Sequence, residues 1–140
     1  MREGCGVIGI VVVSHGHLSS ELLAATEHVV GPMEGTCAIA IAPDDDMEAR
    51  RADILEAAKA CDTGAGTVIL TDMFGGTPSN LAISVLSKGR IEVIAGVNLP
   101  MLIKLAEVRA DMKLDEAVAS ARDAGRKYIS VASELLQKND

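Results

Sequence analysis

The fold is decided by residues 7–19, which read VIGIVVVSHGHLS. The run over residues 7–13 is apolar and mostly β-branched, which is typical of a strand buried on both faces of a parallel sheet. A helix is expected to follow from about Ser20 to Val30, because the pair Gly31-Pro32 would end it. The polar stretch Ser14–Ser19 therefore joins a buried strand to a helix.

The same alternation of strand and helix continues along the chain. Further apolar runs predict strands at Cys37–Ile41, Thr67–Thr71 and Ile91–Ala95. Helices are expected between and after these strands, at about residues 46–61, 78–86, 100–109 and 114–125. The predicted fold is α/β, an open doubly wound sheet of four parallel strands with helices on both faces. The chain has 140 residues, the usual size of one domain, and we expect residues 1–140 to form a single one.

The tail from Arg126 onward allows two interpretations. Ile129 and Val131 alternate with small residues as in an edge strand, whereas residues 134–136 read Glu-Leu-Leu and favour a helix. A strand over Lys127–Ala132 would lie at an edge of the sheet.

Composition narrows the class of partner. The net charge is −7, Trp is absent, and Phe74 and Tyr128 are the only aromatic residues. An acidic chain repels phosphate backbones and this one has almost no rings for base stacking, so no nucleic-acid partner is expected. A basic protein partner fits this charge, although acidity also serves solubility.

Cysteine usage and hydropathy bear on the cellular compartment. The three cysteines, Cys5, Cys37 and Cys61, are odd in number and show no CxxC spacing, so neither a disulfide nor a zinc site is expected. Cys37 and Cys61 lie among apolar residues and are interpreted as small core residues. The apolar run over residues 7–13 is shorter than the roughly 20 residues that span a bilayer, and no cleavage site follows it. We therefore expect a cytoplasmic protein without direct membrane insertion.

Two residues at the ends of predicted strands are candidates for catalysis. His15 follows the first strand beside Gly16, and a histidine in such a loop can act as nucleophile, base or ligand. Asp72 follows the third strand, at the same edge of the predicted sheet. A carboxylate there would fix the tautomer of the imidazole and leave its other nitrogen free to attack. Alternatively, His15 is an ordinary exposed loop histidine and Asp72 only caps a turn. His17 lies near His15, but no third ligand at a metal-like spacing supports a metal site.

The most informative stretch is residues 75–78, which read Gly-Gly-Thr-Pro. Thr77 is expected to be the N-cap of the following helix and Pro78 its first residue. A glycine turn at a helix N-terminus is a natural cradle for phosphate, although an ordinary strand-to-helix connection has the same pattern. Neither GxxxxGK[ST] nor GxGxxG is present, so no nucleotide or other cofactor is expected. Asn98, after the fourth strand, could form a wall of the site or shape its own turn.

The sequence resembles the IIA component of the mannose family of the bacterial sugar phosphotransferase system. Three stretches carry the resemblance: residues 12–16, VVSHG; residues 71–80, TDMFGGTPSN; and residues 92–102, EVIAGVNLPML. The related phosphocarrier subunit of dihydroxyacetone kinase is a poorer match, because its second loop lacks the Gly-Gly-Thr-Pro pattern.

The resemblance implies a phosphotransferase that works through a phosphohistidine. His15 would accept phosphate from phospho-HPr and pass it to a IIB component, Asp72 would orient His15, and Gly16, Gly75, Gly76 and Thr77 would surround the phosphate. It also implies a homodimer in which an antiparallel edge strand, for which Lys127–Ala132 is the candidate, pairs across the two subunits. An alternative function stays open, in which the phosphorylation state of His15 controls binding to a regulatory partner protein. A hydrolase or mutase is disfavoured, because such an enzyme needs basic residues around its substrate phosphate and no Lys or Arg lies in residues 14–19 or 72–77.

Overall fold

The computed structural model describes residues 6–137 and has an α/β fold. The strands are β1 (Gly9–His15), β2 (Thr36–Ile41), β3 (Thr67–Thr71) and β4 (Ile91–Ala95). The helices are α1 (Leu18–Val30), α2 (Met47–Cys61), α3 (Thr77–Ile83), α4 (Leu99–Val108), α5 (Leu114–Lys127) and α6 (Ala132–Gln137). The predicted α/β fold is therefore confirmed, with boundaries that differ by a few residues.

The four strands form one parallel sheet in the order β2-β1-β3-β4. The chain leaves β1 for β2 on one side and later returns to β3 on the other side of β1. Adjacent connections that leave in opposite directions open a crevice at the carboxyl ends of the two strands, which is where open α/β sheets bind ligands. In this chain the crevice lies between the ends of β1 and β3.

Helices cover both faces of the sheet, and each face has its own apolar core. Ile10 and Val12 of β1 pack with residues of α1, α4 and α5, whereas Val11 and Val13 pack with residues of α2 and α3. All four side chains are fully buried, as the uninterrupted apolar run predicts for a central parallel strand. The buried central strand β1 thus ends directly below the crevice.

Local sequence signals define where several helices begin and end. The carboxylate of Asp46 accepts the Glu48 amide and begins α2, and the side chain of Asn98 accepts the Met101 amide and begins α4. Gly31, at φ 93°, ends α1, as expected from its position before Pro32.

Gly125 does not end α5, contrary to the sequence-based expectation. It is buried inside the helix, which continues to Lys127. A Cβ at Gly125 would lie 2.9 Å from Cε of Met101 and 3.2 Å from Oδ1 of Asn98. The glycine therefore permits close packing of α5 against the start of α4, which a sequence pattern does not distinguish from a helix stop.

The tail contains a helix, α6, so the helical interpretation of residues 134–136 is confirmed. Within residues 6–137 of this single chain, Lys127–Ala132 forms no strand, and pairing across a dimer stays a prediction. Cys61 is buried and Cys37 is half-buried, both as free thiols, whereas Cys5 lies outside the described residues. Between residues 6 and 137 no helix combines the length and hydropathy needed to cross a bilayer.

Candidate functional site

His15 and Asp72 meet at the carboxyl edge of the sheet. His15 is the last residue of β1 rather than a loop residue, and Asp72 directly follows β3, whose Thr71 pairs with Val13 of β1. The Nδ1 atom of His15 lies 2.8 Å from Oδ2 of Asp72, and the backbone amide of His15 donates to the same oxygen at 2.9 Å. One carboxylate oxygen therefore holds both the backbone and the ring of His15.

The environment keeps Asp72 in its charged form. Burial alone would raise the pKa of this carboxyl, but hydrogen bonds from the backbone and ring of His15, the charge of that ring and the Met73 amide outweigh it and lower the pKa. An ionised carboxylate only accepts hydrogen bonds, so Nδ1 carries the proton of a neutral His15 ring. The free lone pair of that tautomer is on Nε2.

The two ring nitrogens of His15 have different surroundings. The side chain of Asp72 is 11% exposed and that of His15 is 53% exposed, so the ring extends from a mostly buried carboxylate out to solvent. A Cβ built on Gly76 would lie 3.0 Å from Cε1 of His15 and 3.5 Å from Nε2. The bare backbone of Gly76 therefore comes close to the reactive side of the ring. Gly75, at φ 91°, supplies the left-handed turn that brings it there.

Thr77 is not the N-cap of α3, contrary to expectation. The cap is Gly76, whose extended backbone (φ −96°, ψ 175°) accepts the first helical bond from Asn80 through its carbonyl. Thr77 is the first helical residue and Pro78 the second, since the tight Gly75-Gly76 turn starts the helix one residue early. The Thr77 hydroxyl is consequently exposed beside the site and is not used in capping.

A groove of about 330 Å³ opens beside His15. It is lined by His15, Gly16, Ile41, Ala42, Pro43, Met47 and Thr77. The wall formed by residues 41–47 comes from the end of β2 and the start of α2. Sequence analysis missed this wall, because it assigned these residues only to the end of a strand, a connection and the start of a helix. The wall can be identified only when β2 is known to lie beside β1.

Two other polar residues, Asn98 and His17, lie near this edge. Asn98 directs its amide nitrogen to the Gly125 carbonyl at 2.9 Å and its amide oxygen to the Met101 amide at 3.1 Å, so it shapes the turn. His17 is the exposed N-cap of α1 and makes no capping bond through its side chain. In residues 6–137 no group of three His, Cys, Asp or Glu side chains is arranged to hold a metal ion.

Comparison with known proteins places this arrangement in a family. A family profile described as the PTS system fructose IIA component, EIIA-man, matches residues 9–122. The chain belongs to the EIIA-man family. The matched range contains every candidate site residue, from His15 to Thr77.

Individual EIIA relatives agree with this assignment. The chain is 36% identical over 124 residues to the mannose-specific EIIAB component of Escherichia coli K12, covering 87% of this chain and 38% of that protein. It is 29% identical over 131 residues to the sorbose-specific EIIA component of Lacticaseibacillus casei, covering 93% and 94%. The solved mannose/sorbose-specific IIA subunit from Enterococcus faecalis superimposes with a TM-score of 0.78 at 27% identity, over 89% of this chain and 94% of that one. The chain thus spans 38% of the mannose-specific EIIAB component but nearly all of the sorbose-specific EIIA component and of the mannose/sorbose-specific IIA subunit.

Proposed function

We propose that residues 1–140 act as one cytoplasmic phosphocarrier domain of a sugar phosphotransferase system. His15 accepts a phosphoryl group from phospho-HPr and passes it to a IIB component. One observation carries this proposal: Asp72 holds Nδ1 of His15 at 2.8 Å and leaves Nε2 free on a half-exposed ring. This is the arrangement that a nucleophilic histidine needs.

The transfer is a single displacement at phosphorus. The Nε2 lone pair of His15 forms a bond to phosphorus while the bond between phosphorus and the donor's imidazole nitrogen breaks. The donor ring, protonated on its other nitrogen, leaves as a neutral imidazole. Positive charge then develops on the His15 ring, and the Asp72 carboxylate stabilises it through Nδ1–H. Transfer onward to the acceptor reverses these roles. Most of the rate comes from alignment and charge stabilisation, as in other phosphoryl transfers.

Backbone and hydroxyl groups around Nε2 form the proposed phosphate site. Gly16, Gly75 and Gly76 let the main chain approach the phosphoryl oxygens, and the amides of the first turn of α3 have no partners within the helix. The exposed hydroxyl of Thr77 adds one donor. Because residues 14–19 and 72–77 contain no Lys or Arg, we expect the docked partner to supply the remaining positive charge.

The surroundings of His15 suit a protein partner. Phe74 is 76% exposed and Met73 is 54% exposed, immediately after Asp72 in the chain. Exposed large apolar side chains beside a reactive group are typical of a docking surface. The acidic run Asp44–Asp46, next to the groove, favours a partner with a basic rim. Both features match a donor protein better than a small phosphorylated substrate.

The tail supports the proposed homodimer. Ile129 is 75% exposed and Tyr128, Val131 and Leu136 are also exposed, which leaves an apolar segment uncovered in the single chain. A second subunit would cover it, through the exchanged strand or through α6. Light scattering should give twice the chain mass of 14.6 kDa, and the mass of one chain would refute the dimer.

The function is tested by incubating the protein with phosphoenolpyruvate, enzyme I and HPr and measuring its intact mass. The wild type should gain one phosphoryl group and the His15→Ala variant none. No gain in the wild type, or a gain that persists in His15→Ala, would contradict the proposal. Adding a IIB protein should discharge the phosphorylated form; a stable phosphorylated form that instead changes its binding partners would favour the regulatory alternative.

A further inference from the structure

Ser14 occupies a position where the pattern of β1 calls for an apolar side chain. Ile8, Ile10 and Val12 alternate along one face of the strand and belong to the core beneath α1, α4 and α5. Ser14 comes next in this alternation and is fully buried. A buried hydroxyl costs free energy unless it is hydrogen-bonded, so its bonds indicate what it does.

The Ser14 hydroxyl bonds to two residues of the segment that follows His15. Its oxygen donates to the carbonyl of Gly16 at 3.1 Å and accepts the amide of Ser19 at 2.7 Å. Ser19 is the second residue of α1, whose N-cap His17 offers no side-chain bond. Ser14 therefore caps α1 from a distance of five residues and holds the turn at Gly16 with the same hydroxyl.

The two bonds of the Ser14 hydroxyl lie around the backbone of His15. Gly16 has a φ of 56°, and its amide donates to the carbonyl of Ile41 at 3.0 Å. The amide of His15 donates to Asp72, which also holds the ring. Ser14 holds the same turn through its bond to the Gly16 carbonyl. Both the ring and the backbone amide of His15 reach Oδ2 of Asp72 only while the turn keeps this shape.

We propose that Ser14 is a positioning residue for phosphoryl transfer: its hydroxyl fixes the Gly16 turn and thereby keeps Nδ1 of His15 on Asp72 and Nε2 toward the phosphate site. This inference rests on the proposed function. Ser14 does not touch the phosphate, and its effect is transmitted through the backbone between residues 14 and 19. A misplacement of about 1 Å at a reacting atom can slow a reaction substantially.

The test compares Ser14→Ala with Ser19→Ala. Ser19 is equally buried, and its hydroxyl donates to the carbonyl of Ile39 at 3.1 Å, so each variant loses one buried, hydrogen-bonded hydroxyl. Ser14→Ala should lower the rate of phosphorylation by phospho-HPr about tenfold. Ser19→Ala should also lose thermal stability, yet its rate should stay within about twofold of the wild type. Ser14→Thr keeps the hydroxyl and should restore the rate.

A second readout separates positioning from stability. The ¹⁵N chemical shifts of the His15 ring should show one tautomer, with the proton on Nδ1, in the wild type, in Ser14→Thr and in Ser19→Ala, and a mixture in Ser14→Ala. Equal rates and equal ring shifts in Ser14→Ala and Ser19→Ala would overturn the proposal. If Ser14→Ala does not fold, Ser14→Cys, a weaker donor, must show the slower rate and the mixed tautomer, and wild-type behaviour there would overturn it. A wild type that is never phosphorylated would instead refute the proposed function.

Discussion

Asp72 and Asn98 follow neighbouring parallel strands, and they have opposite uses. Each lies just beyond the carboxyl end of its strand and before a helix that has proline in its first turn. The two oxygens of Asp72 bond to His15 and to the Met73 amide, so this side chain connects β3 to β1. The side chain of Asn98 bonds to Met101 and Gly125, so it connects α4 to α5.

The difference follows from sheet topology. β3 lies next to β1 across the switch point, where connections leave in opposite directions and open a crevice. β4 lies at the sheet edge, and α5 packs against the loop that follows it, with Gly125 close to Asn98. The strand-to-helix loop after β3 thus contributes to the candidate site, whereas the similar loop after β4 packs against α5.

The largest change is expected for Asp72→Asn, which exchanges an acceptor for a group that can present N–H to Nδ1. The wrong tautomer of His15 is then favoured, and phosphorylation by phospho-HPr should slow by about 10³-fold. Quench-flow with radiolabelled phospho-HPr measures the rate.

Asp62→Asn is the matched control for that variant. Burial would raise the pKa of Asp62, but amide bonds from Gly64 and Gly66 and the nearby Arg90 lower it, as the His15 contacts do at Asp72. Both carboxylates contribute stability above the unfolded-state pKa near 4, and lose it as pH falls through the lower folded pKa. Asp62→Asn should therefore be less stable than the wild type at neutral pH, with a smaller loss of stability on acidification, yet transfer phosphate at the wild-type rate. Equal rates in the two variants would mean that Asp72 has only a structural role.

Thr77→Val should give the next largest loss of rate, about 10²-fold, because it removes one proposed donor to the phosphoryl group. Stability should change little, since Gly76 and not Thr77 caps α3. Thr77→Ser retains the hydroxyl and should retain the rate. Thermal melts and transfer rates measured on the same samples check this, and a wild-type rate in Thr77→Val would remove Thr77 from the phosphate site.

Gly76→Ala should slow transfer about tenfold without strain in its own backbone. Its φ of −96° suits alanine, but the new Cβ would lie 3.0 Å from Cε1 of His15 and push the half-exposed ring by a few tenths of an ångström. Steady-state phosphorylation assays would detect this change. A rate equal to that of the wild type would show that the ring moves freely without cost to the reaction.

Asn98→Ala should have the smallest effect on rate and a clear effect on stability. It removes the cap of α4 and the bond to Gly125, which should lower the free energy of unfolding by about 1–2 kcal/mol. Chemical denaturation measures this loss, while the phosphorylation rate should stay at the wild-type value. A large loss of rate at unchanged stability would place Asn98 in the site and erase the contrast with Asp72.

The apolar pattern, together with the Gly and Pro residues between segments, predicted the sheet and its helices. A strand that is buried on both faces shows an unbroken apolar run, as β1 does. The pairing of His15 with Asp72 was also predictable, since carboxyl ends of parallel strands share one edge. Gly125 was misjudged because a glycine inside a helix and a glycine that ends one differ only in what packs against them. The groove wall at residues 41–47 was missed because strand order is a property of the fold and is not written in any local pattern.

The central claim is that Asp72 holds Nδ1 of His15 and leaves Nε2 to carry the phosphate. The most direct test is NMR of the phosphorylated protein with ¹⁵N-labelled histidine, which identifies the phosphorylated nitrogen from ring shifts and phosphorus coupling. The geometry, with Nδ1 at 2.8 Å from Asp72 Oδ2, predicts phosphate on Nε2 of His15 and a proton on Nδ1. Phosphate on Nδ1 of His15, or on any other residue, would contradict the account.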